Sequence, residues 1–273
     1  MLAFHCAEWE NILIGDRSAR EEARNLDLDS LALECEYRFQ KAHDQIIVDI
    51  PRCDAVKEDQ NAMCKILHVW TLLNRGVGYY QGLNLLASAL YKKIKLVSSL
   101  PMHDTLAALG TISRVHTSLV PMHSEDNAPI HNAAELTRSI LREVGSANAS
   151  LTQFVGETFD YLQIFVLRVL PVCFASLFDS PATLYVFWDY MFRQNDNETQ
   201  SDSVPTIAAR RSKHLISALM LSHARLWKLN EDQRQNFKIF EAVTGILIER
   251  DAKDIVRSAS HLETLERLGG HAM

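Results

Sequence analysis

The stretch LLNRGVGYYQGLNLLASALY, residues 72 to 91, joins two apolar helical patterns through a corner that carries two tyrosines and a glutamine. The glycines before the tyrosines are suited to end the first helix, because glycine adopts positive φ without a Cβ penalty. The next apolar stripe begins at Leu83, which places Gln81 and Gly82 at a helix N-terminus, where backbone N–H groups favour anions. A glutamine there both donates and accepts, which suits holding a water molecule beside a phosphate. The plainer alternative is a helix–turn–helix corner capped by Gln81.

The rest of the chain also has a helical period. Apolar residues recur three and four positions apart in successive stripes, and such spacing gives each helix one apolar face. The stripes on either side of the corner are Met63, Ile66, Leu67, Trp70 and Leu73, then Leu83, Leu86, Ala87, Leu90, Tyr91 and Ile94. Alternating strand patterns are short and isolated. The sequence therefore predicts an all-α fold.

The length and the polar segments together predict the domain organisation. A chain of 273 residues with 47% hydrophobic content can bury a substantial core, and we expect one domain over 1–273. The segment GSANAS (145–150) predicts a boundary between an N-terminal helical subdomain, 1–148, and a C-terminal one, 149–273. The low-complexity segment RQNDNETQSDSVPTIAARRSK predicts a polar, mobile insert over 193–213.

Charge and cysteine content narrow the class of protein. Twenty-eight basic against 34 acidic residues give a formal charge of −6, which disfavours a general nucleic-acid binder. Five scattered cysteines with no CxxC pair are typical of reduced thiols in a cytosolic protein. The first residues show no signal-peptide pattern, and no segment has about 18 uninterrupted apolar residues. We therefore expect a cytoplasmic protein.

The common enzyme signatures do not occur. There is no GxxxxGK[ST] phosphate loop, no dinucleotide fingerprint, no GxSxG and no HExxH. Four histidines are loosely clustered in sequence, but their spacing disfavours a metal site; they are His103, His116, His123 and His131. We expect no metal and no cofactor bound by this chain itself.

A second segment, QIIVDIPRCD at 45–54, carries polar residues with a regular spacing. Pro51 biases Ile50 towards an extended conformation, so we expect the preceding helix to end before Ile50. Arg52 then lies in or just after a turn, with Asp49 close enough to accept its hydrogen bonds. The alternative is an ordinary surface ion pair, worth less than about 1 kcal/mol.

The two segments together are recognisable. IIVDIPR fits the pattern IxxDxxR, and YYQG fits YxQG about thirty residues later. The chain thereby resembles the TBC domain, the GTPase-activating domain for Rab-family small GTPases. WENILIG (Trp9–Gly15) and LYVFWDYMF (184–192) are similar to further segments of that family, with Trp188 as a core residue, and the resemblance covers about residues 9–250. It implies a multi-helix fold of two helical subdomains.

The resemblance also implies an activity. The family supplies two side chains in trans to a bound GTP: the arginine of IxxDxxR neutralises charge on the transferred phosphoryl group, and the glutamine of YxQG orients the attacking water. In this chain those residues are Arg52 and Gln81. The implied partner is a GTP-bound Rab GTPase, which itself holds the GTP and Mg²⁺, so the chain turns over no substrate of its own. Any membrane association would be peripheral and through partners, with a role in vesicle traffic.

The same resemblance gives roles to the neighbouring residues. Asp49 would orient Arg52, and Ile46 would anchor its turn to the core. Tyr79 would pack beneath the glutamine turn, and Gly82 would let the backbone approach the GTPase. After YxQG the family often continues with Met-Asn-Asp, whereas this chain has Leu-Asn-Leu at 83–85.

Two further interpretations stay open on the sequence. A non-catalytic adaptor would keep the TBC fold as a module that binds a small GTPase or another protein. An unrelated helical scaffold would match the two motifs by chance. Substituting Arg52 separates the first from a GTPase activator, because catalysis would collapse while binding persisted.

Overall fold

The structure is a computed structural model that describes residues 17–53, 57–119, 128–149, 159–178, 180–193, 204–222 and 249–269. Eleven α-helices and two short 3₁₀ turns account for most of these residues, and none of the residues described forms a strand. The prediction of an all-α fold is confirmed. The segment WENILIG and residues 223–248 lie outside the described ranges.

The helices follow one another in a simple order. They are α1 Arg17–Arg24, α2 Leu28–Arg38, α3 Gln40–Asp49, α4 Lys57–Leu73, α5 Leu83–Ile94, α6 Pro101–Leu119, α7 Ala128–Ala147, α8 Phe159–Val169, α9 Pro181–Phe192, α10 Val204–Ser222 and α11 Glu249–Gly269. The 3₁₀ turns are Ile50–Arg52, after α3, and Leu170–Val172, after α8.

Helix α4 shows how the sequence produces these elements. Glu58 and Asp59 lie in its first turn, where negative charge is favoured by the helix dipole. Its predicted apolar stripe is buried from Met63 to Trp70, whereas the last member, Leu73, is 50% exposed. The pattern read from the sequence is therefore the packing face of the helix.

Contacts divide the chain into two compact units. The first is Met1–Thr117 with Pro171–Ser176. In it, α4 packs against α2, α3 and α5. Helix α1 is tied to α6 by Arg20 and Arg24, which both donate to the buried carboxylate of Asp104.

The second unit is Ser118–Leu170 with Leu177–Met273. Its centre is α10, which packs against α7, α9 and α11. Phe187 and Trp188 of α9 are fully buried, as the sequence predicts for the tryptophan. Arg211 of α10 is buried as well, and its Nε donates to Glu263 of α11 at 3.4 Å.

The structure differs from two sequence-based expectations about organisation. The division between units falls at 117/118 and not near 148, because polar composition marks where a chain reaches the surface but not which helices pack together. The insert expected over 193–213 is helical from Val204 onward, and Arg211 and Ser212 within it are buried. Residues 194–203 of this segment lie outside the described ranges, and those from 204 onward lie on a helix that packs against three others. None of the described helices has the length and apolar character needed to cross a bilayer.

Candidate functional site: two motifs joined at Asp49

Arg52 lies on the 3₁₀ turn Ile50–Arg52, which continues directly from the end of α3. The expectation that Ile50 is extended was wrong: its φ is −55° and its ψ is −47°. The local preference imposed by Pro51 is outweighed because Ile50 is buried and its carbonyl accepts from the amide of Cys53 at 3.0 Å. Proline is tolerated in the first turn of a helix, where an N–H has no partner. The arginine is thus presented on a tight turn.

The guanidinium of Arg52 is exposed while its partner is buried. Its Nη1 donates to Asp49 Oδ1 at 2.7 Å, with 61% of the arginine side chain and 2% of the aspartate side chain exposed. The pairing of these two residues agrees with the sequence-based expectation. Ile46, one helical turn before Asp49, is fully buried and fixes α3 in the core.

Asp49 also receives hydrogen bonds from other parts of the first unit. Its Oδ2 accepts from Gln45 Nε2 at 2.9 Å and from the hydroxyl of Tyr79 at 3.0 Å. Burial, together with the hydrogen bond to this carboxylate, raises the pKa of Tyr79, so the phenol stays protonated as a donor. A buried carboxylate is stable only when its lone pairs are used in this way.

Asn84 forms a further link to Asp49, although no role was predicted for it from the sequence. Its side-chain amide donates to the carbonyl oxygen of Asp49 at 2.9 Å and contacts Cys53 Sγ at 3.2 Å. Asn84 is buried in the first turn of α5. In the sequence, Asn84 is a polar residue beside an apolar stripe. That position indicates a buried side chain that needs a hydrogen bond, but it does not indicate the partner.

The corner that carries Gln81 is fixed by both of its tyrosines. Tyr79 is held by Asp49, and the hydroxyl of Tyr80 donates to the carbonyl of Pro171 at 2.9 Å. Gln81 itself is exposed. Helix α4 ends before the corner, where the amide of Gly78 donates to the carbonyl of Asn74 at 2.7 Å. An exposed glutamine therefore follows two anchored aromatic residues.

Gly82 is required by the fold itself. It is the N-cap of α5 with φ of +96°, a left-handed conformation that residues with a Cβ rarely adopt. A Cβ at this position would lie 2.8 Å from Cγ1 of Val172. The resemblance assigned Gly82 to close approach of a GTPase, but these contacts already explain the glycine within this chain.

A groove of about 700 Å³ opens beside Gln81, and Tyr79 and Gly78 also line it. Three of its lining residues are basic, namely Arg38, Lys41 and Arg75, and none of the described residues that line it carries a carboxylate. Arg52 lies outside this lining. Within the described part of the chain, the groove beside Gln81 is thus lined by basic and not by acidic side chains, with Arg38 paired to Glu34 at 3.1 Å.

The helical fold and this site define a class of protein: a helical unit that presents an exposed arginine and an exposed glutamine on two turns joined through one buried carboxylate. The family model of the Rab-GTPase-TBC domain matches residues 11–208, more than half of the chain. The chain belongs to this family.

A solved structure agrees at the level of the fold. The crystal structure of the Ypt/Rab-GAP domain of Gyp1p is similar to this chain with a TM-score of 0.64 at 15% sequence identity. The match covers 94% of this chain and 87% of that chain. No curated protein matches this chain significantly in sequence.

Proposed function

We propose that this protein is a GTPase-activating protein that accelerates GTP hydrolysis on a Rab-family GTPase by supplying Arg52 and Gln81 in trans. One observation carries the proposal beyond family membership. One carboxylate oxygen of Asp49 accepts a hydrogen bond from Arg52 and the other accepts one from Tyr79, which is two residues before Gln81. The two proposed catalytic turns are therefore positioned by the same buried group.

Arg52 has the properties that phosphoryl transfer needs from an arginine finger. The reaction depends on positioning and on stabilising charge that develops on the phosphoryl oxygens, and an arginine finger contributes roughly 10³ to 10⁵ in rate, about 4 to 7 kcal/mol. The bond from Nη1 to Asp49 restricts the guanidinium before a partner arrives, while the exposed remainder of the fork is accessible. Lysine would be a poor substitute because it lacks that planar fork.

Gln81 would position the attacking water. Its amide offers both a donor and an acceptor, so one side chain can hold a water molecule and also contact a partner's backbone. The anchored tyrosines on its N-terminal side limit the movement of the turn. Such restriction matters because a misplacement of about 1 Å can cost about a hundredfold in rate.

The proposed partner is a Rab GTPase in its GTP-bound form, and the GTP and Mg²⁺ belong to that partner. This chain contributes side chains only, with no cofactor or metal of its own in the reaction. Because Rab-family GTPases act in membrane traffic, we infer a role in regulating vesicle traffic, performed from the cytoplasm with recruitment to endomembranes through partners.

Single-turnover GTP hydrolysis by a panel of purified Rab GTPases tests the proposal. We expect the wild-type protein to accelerate hydrolysis on at least one of them by three orders of magnitude or more. If a Rab binds the protein in its GTP form but its hydrolysis rate is unchanged, the protein is a non-catalytic adaptor and the proposal is wrong. Binding is therefore measured on the same panel, with a GTP analogue that is not hydrolysed.

A further inference from the structure

A second cluster of titratable side chains lies in the first unit and takes no part in the proposed GTPase chemistry. Glu36 comes from α2, His43 from α3 and His68 from α4. One possible ligand atom from each of these side chains lies within 4.8 Å of the other two. Three helices thus bring two imidazoles and a carboxylate to one place.

The two imidazoles are already in contact. His43 Nδ1 and His68 Nε2 are 3.1 Å apart, and the rings are stacked with 5.1 Å between centroids and 10° between planes. Two nitrogens bound to one tetrahedral Zn²⁺ at about 2.0–2.1 Å lie about 3.4 Å from each other. A shift of a few tenths of an ångström, with a small rotation of the rings, would direct both lone pairs at one ion.

The carboxylate lies beside the other ring nitrogen of His68. Glu36 Oε1 is 3.7 Å from His68 Nδ1, whereas His43 faces Nε2, so Glu36 would join an ion at the His43 edge by changing its side-chain rotamer, which its 41% exposure permits. Cys64 Sγ is 3.8 Å from His68 Nδ1, so His68 has a polar neighbour at each ring nitrogen. Histidine ligands in metal sites characteristically have the second nitrogen held by such a neighbour.

The ring of His68 is almost fully buried, so its two nitrogens need polar partners within the protein. Two imidazoles and one carboxylate form a mixed nitrogen and oxygen donor set. Such a set suits zinc and similar transition ions, whereas Mg²⁺ and Ca²⁺ prefer oxygen ligands throughout.

We propose that Glu36, His43 and His68 form a binding site for a divalent transition metal ion of the zinc class. The ion would connect α2, α3 and α4, and α3 is the helix that leads into the Arg52 turn. The site does not depend on the proposed GTPase activation, because its ligands are different residues and its test needs no partner protein.

The test is a titration of the metal-free protein with Co²⁺, followed by its visible absorption and then by displacement with Zn²⁺. We expect one Co²⁺ per chain with the strong d–d band of a low-coordinate site. His43→Ala and Glu36→Gln, which change partly exposed residues, should each weaken binding by at least about tenfold. The chain has 11 histidines, so His261→Ala, which removes an exposed histidine from α11, serves as the control and should bind as the wild type does.

Two results would overturn the site. One is the absence of a saturable band in the wild type. The other is equal Co²⁺ affinity in the wild type, His43→Ala and Glu36→Gln, which would locate the bound metal elsewhere. Thermal unfolding gives an independent readout: Zn²⁺ should raise the Tm of the wild type and of His261→Ala, but not that of His43→Ala.

Discussion

The hydroxyl of Tyr79 donates to Oδ2 of Asp49 at 3.0 Å, while Oδ1 of the same carboxylate accepts from Arg52. This contact joins the IxxDxxR and YxQG motifs across thirty residues of sequence. It gives a physical reason for the tyrosine of YxQG, because the phenol donates to the carboxylate that accepts from the arginine. The glutamine turn and the arginine turn are consequently coupled through one buried group.

Tyr79→Phe tests that coupling. The change removes one hydrogen bond to a buried carboxylate, and we expect a loss of about 1 to 3 kcal/mol in the free energy of unfolding. GTPase activation should fall as well, because the carboxylate that orients Arg52 is less restrained. Urea unfolding and single-turnover hydrolysis measure the two effects.

Tyr37→Phe is the matched control, since Tyr37 lies in the same unit and is 90% exposed. We expect it to match the wild type in stability and activity. Equal behaviour of the two phenylalanine variants would show that the hydroxyl of Tyr79 positions nothing.

Gln81→Ala separates catalysis from stability. Because the side chain is exposed, the free energy of unfolding should change by no more than about 0.5 kcal/mol. GTP hydrolysis on the responsive Rab should nevertheless slow by about a hundredfold or more. The control is Gln40→Ala, which removes an exposed glutamine from the lining of the same groove. A similar loss in both variants would assign the effect to the groove and not to Gln81.

Gly82 is constrained by its positive φ and by its contact with Val172, and comparison with two other glycines of the corner separates these two effects. At Gly76 the φ angle is not positive and a Cβ would contact nothing, so Gly76→Ala should be neutral or should stabilise the protein by up to about 1 kcal/mol. Gly78→Ala has positive φ but open space and should cost about 1 to 2 kcal/mol. Gly82→Ala has positive φ and a close contact with Val172, so it should cost more, about 2 to 5 kcal/mol.

Adding Val172→Ala to Gly82→Ala provides an internal check. The smaller side chain relieves the contact at 2.8 Å but leaves the backbone strain, so recovery of stability should be partial. Denaturant midpoints of the series measure this. No recovery at all would mean that Val172 is not what excludes a side chain at position 82.

The pH dependence of stability should include a contribution from Asp104. Burial alone would raise the pKa of this carboxyl, but hydrogen bonds from Arg20, Arg24 and Ser98 outweigh burial and hold the pKa below its usual value of 3.8. The unfolded chain therefore takes up a proton near pH 4 while the folded chain stays ionised. The stabilisation is present above that pH and is lost as pH falls through the folded-state pKa.

Comparing the wild type with Asp104→Asn isolates this group. The difference in the free energy of unfolding should be constant between pH 5 and pH 7, as measured in urea, and should shrink below about pH 4. A difference that stays the same down to pH 3 would contradict the assignment. A difference that grows on acidification would mean that folding raises the pKa of Asp104, which is the opposite of the assignment.

Local sequence patterns predicted the parts of this fold that depend on neighbours in the chain. The stripes of α4 and α5 are buried except at Leu73, the corner between them contains the exposed Gln81, and the spacing of three residues brings Arg52 to Asp49. In each case the informative residues lie within one or two helical turns of each other. Helical periodicity is sufficient for such relationships.

The contacts that position the site were not predictable in the same way. Tyr79 and Asp49 are 30 residues apart, and Asn84 and Asp49 are 35 apart. Which buried polar group meets which depends on how α3, α4 and α5 pack, and one sequence does not contain that information in its local pattern. The expectation that Ile50 is extended failed for a related reason. Burial of Ile50 and a hydrogen bond within the turn outweighed the preference for an extended conformation before proline.

The most direct test of the central claim compares, in one assay, two arginines that each pair with an aspartate three residues earlier. Arg52 and Arg257 each donate from Nη1 to an aspartate three residues earlier, at 2.7 Å and 2.9 Å, and Arg257 is 80% exposed in the other unit. We expect Arg52→Ala to reduce single-turnover GTP hydrolysis on the responsive Rab by roughly 10³-fold or more, with binding of the GTP form retained. Arg257→Ala should match the wild type. If Arg52→Ala accelerates hydrolysis as the wild type does, Arg52 is not the arginine finger.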